Sequence, residues 1–89
     1  QADEWGLIWE AVADDEFETK WRARAEYLAK GPTLAYSHLK TALRASSENN
    51  LEAQLALEAK LQKECGNSRD FKEGVVAFLE KRSARFEGR

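Results

Sequence analysis

Leu51-Glu52-Ala53-Gln54-Leu55-Ala56-Leu57-Glu58-Ala59-Lys60-Leu61-Gln62-Lys63-Glu64-Cys65 decides the fold class of this chain. Ala, Leu, Glu and Lys dominate the stretch, and these residues give up little freedom in a helix. Its apolar members, Leu51, Leu55, Leu57, Leu61 and Cys65, do not fit one narrow seam. At about 100° per residue they cover half the circumference or more, wider than a one-sided surface helix needs. The predicted helix over 51–65 is therefore either central in its own domain or shared with a neighbouring subunit.

Ser46-Ser47-Glu48-Asn49-Asn50, just upstream, is the clearest break in the chain, rich in turn and cap formers. Before it, Ala35, Leu39, Ala42 and Leu43 give a modest apolar stripe to a helix over 32–45. Pro32 suits its first turn, where the missing N–H costs nothing. Gly31 ends an earlier helix over 15–30, which Asp14 or Asp15 can cap. Phe17, Trp21, Ala25 and Leu28 recur there at spacings of four, four and three. Ala2 to Trp5 read as the last turn of a helix, closed by Gly6 in a left-handed conformation. Leu7-Ile8-Trp9-Glu10-Ala11-Val12, apolar and partly β-branched, reads as an extended segment or a short strand.

Downstream, Gly66-Asn67-Ser68 ends the helix over 51–65, and either Ser68 or Asp70 caps the last one. Asp70, with Glu73 three residues on, has the form of a capping box. Phe71, Val75, Phe78 and Arg82 share one face of that helix. Gly74 inside it costs about 1 kcal/mol relative to Ala, so close packing or a ligand is expected to require it. The tail over 83–89 is expected to fray except around Phe86. The predicted architecture is all-α: a short N-terminal helix end and an extended segment, then four helices.

The 89 residues allow one small domain, expected to bury about 60–65% of its unfolded surface. A single Cys excludes an internal disulfide and a Cys-based zinc site, and a single His excludes paired-histidine metal chemistry. The formal charge of −2, with both signs mixed along the chain, leaves no nucleic-acid footprint and disfavours a DNA-binding domain. No apolar run approaches the roughly 20 residues of a membrane span, and no stretch has a signal-peptide pattern. A soluble, cytoplasmic protein without a membrane partner is expected. The chain contains no Met and opens on Gln1-Ala2-Asp3-Glu4-Trp5, so either a processed N-terminus or a piece of a longer protein is expected.

Catalytic chemistry is not expected from these residues alone. His38 has no Cys or Asp at a triad spacing and reads as a surface or helix-packing imidazole. Cys65 faces the negative end of a helix dipole, which disfavours a thiolate. Glu52, Glu58 and Glu64 alternate with Lys and Gln on a solvated face, and the five glycines are scattered singly, so no phosphate loop exists. Trp5, Trp9 and Trp21 either fill a small core or mark an interface. Phe78 lies within one turn of Lys81-Arg82. Such a cluster either holds an adenine ring and a phosphate or is a basic C-cap on the helix dipole.

The run from Arg69 through Asp70-Phe71-Lys72-Glu73-Gly74-Val75-Val76-Ala77-Phe78-Leu79-Glu80-Lys81-Arg82 to Phe86 closely resembles the end of enoyl-CoA hydratase/isomerase (crotonase) superfamily proteins. The opening Ala2-Asp3-Glu4-Trp5-Gly6-Leu7-Ile8-Trp9-Glu10-Ala11-Val12 and Lys40 are similar to that family as well. The resemblance covers the whole chain and looks strongest to the phenylacetate-pathway branch. It implies a parent hydratase or isomerase of acyl-CoA thioesters whose catalytic ββα spiral, with its oxyanion hole and acid/base carboxylates, lies outside these residues. No catalytic residue and no metal ligand is therefore carried over, and no cofactor beyond the CoA thioester substrate is implied. Phe78 and Lys81 match positions flanking the adenine or 3′-phosphate of CoA. The resemblance further implies a C-terminal trimerisation domain, in a trimer or dimer of trimers, inactive as a fragment. An independent helical interaction module, self-associating through Trp5, Trp9 and the Leu51–Leu61 face, is the alternative.

Overall fold

A computed structural model describes all of residues 1–89. It contains four helices, α1 (Phe17–Ala29), α2 (Thr33–Ser46), α3 (Leu51–Gly66) and α4 (Arg69–Glu80), and no strand. The fold is all-α.

The N-terminal segment is a hydrogen-bonded turn followed by extended chain. Trp5 N–H donates to the Gln1 carbonyl at 3.0 Å, and Leu7 N–H to that of Ala2 at 3.0 Å. Gly6, at φ 75°, sits at the left-handed stop of this turn and donates to the Asp3 carbonyl at 3.1 Å. The Leu7 and Gly6 bonds are the pair that closes a helix end. Residues 7–12 have no sheet partner, so the short-strand alternative drops out.

Neither Asp14 nor Asp15 caps α1. Both lie inside a single 3-10 turn, Asp14–Glu16, that leads into the helix without a side-chain cap bond. They serve the positive helix end through their charge and position instead. Asn50 caps α3 by accepting from Ala53 N–H at 2.8 Å. Ser68 caps α4 by accepting from Phe71 N–H at 3.0 Å, which settles the choice between Ser68 and Asp70.

The short link over 47–50 makes α2 and α3 an antiparallel pair. Gln54 on α3 donates to the Ala42 carbonyl at 3.0 Å and accepts from Asn49 at 3.2 Å, pinning the closed end. His38 Nε2 meets Glu64 Oε2 at 2.8 Å nearer the open end. α4 packs on α3. α1 stands apart, in touch mainly with the turn before it, and none of its residues is buried.

Burial falls far short of a closed domain. Only Ala77 and Asp70 are buried, so α3 is not central in a core of its own. A compact monomer of 10.1 kDa would expose about 5,300 Å², whereas this chain exposes 7675 Å². That leaves only about half of the unfolded surface covered, less than the expected share. The radius of gyration is 16.5 Å, against about 12 Å for a compact chain of this length. No helix is long and apolar enough to cross a membrane.

Candidate functional site

α4 has the sharpest division of apolar and polar faces among the four helices. Phe71, Val75, Phe78 and Leu79 form its apolar side, at spacings that bring them onto adjoining rows. With Leu34 of α2, Cys65 of α3 and Phe86 of the tail they line an open groove of about 460 Å³. Phe78 stands at its rim, 82% exposed. A phenyl ring this exposed to water has the character of a contact point rather than a core residue.

Lys81 ends the helix in the left-handed region, at φ 56° and ψ 44°. Its N–H donates to the Phe78 carbonyl at 3.3 Å, and Arg82 N–H to that of Ala77 at 3.0 Å. Glycine is the residue this position favours, and an L side chain there costs about 1 kcal/mol. Lys81 makes no ion pair. Its ammonium is therefore unclaimed, at the end of the same helix turn as Phe78.

Arg82 does not join it. The left-handed turn swings the chain back, and the Arg82 guanidinium grips Glu73 through both carboxylate oxygens at 2.6 and 3.2 Å. Its Nε also donates to Glu80 at 2.6 Å. Arg82 thus leaves the Phe71–Phe78 face and is spent on the protein itself. The guanidinium bond, helped by Arg85 N–H at 2.9 Å, holds the Glu73 carboxyl down at about 2. Those same bonds, Glu73 first and Glu80 second, push Arg82 above its already high value. Of the cations predicted beside Phe78, Lys81 alone remains.

The tail does not fray. Asp70, 4% exposed, accepts from Glu87 N–H at 2.7 Å and Gly88 N–H at 2.9 Å, while its own N–H donates to the Arg89 carbonyl at 3.0 Å. The carboxylate that resembled a capping residue is a catch for the chain end. Phe86 lies over Gly74, where an added Cβ would stand 3.7 Å from the ring, an ordinary contact. Packing in this chain therefore does not require Gly74.

His38 has a carboxylate partner that sequence spacing did not reveal, since Glu64 comes from the facing helix. No nucleophile completes that pair. Thr41 gives its hydroxyl hydrogen to the Ser37 carbonyl, and Cys65 makes no side-chain hydrogen bond. No three His, Cys, Asp or Glu side chains gather closely enough to hold a metal ion. None of the three tryptophans is buried; Trp9, 80% exposed, lies under the Arg24 guanidinium at 4.6 Å.

The family described as enoyl-CoA hydratase/isomerase matches this chain over residues 1–89. The chain belongs to that family. A Rhodobacter capsulatus protein named as a probable enoyl-CoA hydratase is 58% identical over all 89 residues, which make up 35% of its length. The 1,2-epoxyphenylacetyl-CoA isomerase of Escherichia coli is 42% identical over the same residues, 34% of its length. Among solved structures, a Mycobacterium abscessus protein described as a putative enoyl-CoA hydratase/isomerase superposes with a TM-score of 0.89 at 39% identity. That match covers 99% of this chain and 34% of the other. The chain thus spans about a third of the length of the family members it matches.

Proposed function

We propose that this chain is the C-terminal oligomerisation and CoA-contact part of an enoyl-CoA hydratase or isomerase acting on acyl-CoA thioesters. The observation that carries the CoA contact is the placement of Phe78 and Lys81. An exposed phenyl ring and an unpaired ammonium end one helix, and Lys81 keeps its side chain where glycine would cost less. An adenine ring stacks on the first, and a phosphate pairs with the second. Arg82, bound to two carboxylates, has no part in it. The carboxylates and backbone N–H groups that do the chemistry belong to the other two thirds of the longer protein, and no cofactor beyond the CoA thioester is needed.

The surplus of exposed surface supports the oligomerisation part. An excess of roughly 2,400 Å² over a compact monomer is the scale of a large permanent interface. The rest of the parent chain and sister subunits, in a trimer or dimer of trimers, would cover it. Likeness to an epoxyphenylacetyl-CoA isomerase supports phenylacetate catabolism as the setting; fatty-acid catabolism is the alternative setting, and a cytoplasmic location is part of the same reading.

Kinetics of the full-length enzyme test this reading. Phe78→Ala and Lys81→Ala are each expected to raise KM for an enoyl-CoA about tenfold, the loss of one stacked base or one phosphate contact. The corresponding pantetheine thioester lacks the nucleotide and should show no such rise. Equal KM changes for both substrates would remove the two residues from the CoA site. The 89-residue chain alone is expected to turn over no enoyl-CoA, and measurable turnover would contradict its placement outside the catalytic part.

A further inference from the structure

Residues 82–89 form a strap with anchors at both ends, both supplied by one side of α4. At the start of the strap, Glu73, in the first half of α4, holds Arg82 through two bonds and accepts the N–H of Arg85 at 2.9 Å. At the far end, Asp70 takes the N–H groups of Glu87 and Gly88. Gly88 is at φ 78°, and a Cβ there would collide with the Thr33 hydroxyl of α2, so the strap threads a gap that only glycine fits. Between the anchors Phe86 is set over Gly74 and becomes one wall of the apolar groove.

Lys81 is the hinge between α4 and this strap. Arg82 reaches Glu73, nine residues back, only because the chain reverses at Lys81. The reversal is strained for a lysine, so something outside Lys81 must hold it. The Glu73–Arg82 grip and the Asp70 catch do so.

We propose that Glu73 and Asp70 are positioning residues for acyl-CoA: by docking the strap they hold Lys81 in its left-handed turn, aiming its ammonium, and fix Phe86 beside Phe78. The inference rests on the proposed role of Phe78 and Lys81, which supplies the nucleotide end of CoA as the ligand. Neither carboxylate touches that ligand. Each acts through the strap.

The full-length enzyme is assayed with an enoyl-CoA and with the matching pantetheine thioester. Glu73→Gln keeps the side chain's size and releases the Arg82 grip. It is expected to raise KM for the CoA substrate about tenfold, the worth of one charge-assisted contact. kcat should stay within about twofold, and KM for the pantetheine thioester should not move. A merely structural role would lower the active fraction and hence kcat for both substrates together, and that result would overturn the proposal. Asp70→Asn carries the same expectation, and Gly88→Ala takes its place where Asp70→Asn fails to fold. A CoA-selective rise in Phe78→Ala and Lys81→Ala without one in Glu73→Gln and the strap variant would overturn the positioning role alone. No selective rise in Phe78→Ala or Lys81→Ala would remove the proposed nucleotide contact and the positioning role with it.

Discussion

The two ends of this chain are held in opposite ways. The C-terminal end, α4 and its strap, contains both buried residues, and buried or paired carboxylates catch the returning backbone. The N-terminal arm, the first turn and α1, has no buried residue on its helix. It is tied by Glu10 to Lys20 at 4.0 Å and to Arg24 at 3.5 Å, and by Arg24 over Trp9. Exposed pairs of this kind are each worth about 0–1 kcal/mol. One end therefore carries its own determinants of shape. The other leaves an apolar stripe, Phe17, Trp21 and Leu28, exposed.

Trp21→Ala gives the largest expected contrast. In the isolated 89-residue chain, where Trp21 is 46% exposed, its removal should cost less than about 0.5 kcal/mol. In the full-length enzyme the same change should cost about 3 kcal/mol, as for an aromatic taken from a packed site. Urea midpoints of both proteins measure the difference. Equal small costs in both would mean that α1 is a free arm in the whole protein as well.

That contrast also explains what was legible in the sequence. Helix α3 and the link before it were readable because Asn50 and the Gly66-Asn67-Ser68 stop act within one turn of where they stand. Pro32 was placed one position too far in; it precedes α2 rather than opening it. The Phe78 and Lys81 positions came from likeness to a family, and spacing by itself favoured a plain basic cap. The strap was not legible. Its bonds join carboxylates to backbone N–H groups of residues 12 to 18 positions away, and backbone donors leave no mark in a sequence. Asp70 looked like a cap for the same reason: cap and catch use the same residue type. Arg82 went astray because helical spacing was carried one residue past a left-handed turn.

Acid should loosen the C-terminal end at Glu73, with a smaller effect than the Trp21 contrast. Glu73 has its folded value depressed from 4.5 to about 2, with Arg82 as the main cause. A depressed carboxyl stabilises the folded form fully above its unfolded value, so the contribution is intact above about pH 5 and is lost as pH falls from there through 2. The protection of the Arg85 amide, its exchange rate taken relative to the intrinsic rate at each pH, should fall over that window. In Glu73→Gln that protection should already be lost at pH 6 and should not change on further acidification. The α1 amides, with no such carboxylate, should show no corresponding step.

Gly74 offers the smallest and most exacting test, because substitutions there and at Lys81 should raise stability alike and yet differ in function. An added methyl at residue 74 meets Phe86 at an ordinary distance, and alanine is the better helix former. Gly74→Ala should therefore raise stability by up to about 1 kcal/mol and leave the strap docked. Lys81→Gly should give a gain of similar size by relieving the left-handed turn, yet forfeit the phosphate contact. Calorimetry on the two full-length variants, alongside KM for the CoA and pantetheine thioesters, separates the cases. A Gly74→Ala protein that is less stable than the parent would mean that α4 meets a neighbour there so closely that even a methyl is excluded. The groove would then continue into an interface at Gly74, and the glycine would mark where that neighbour's backbone comes nearest.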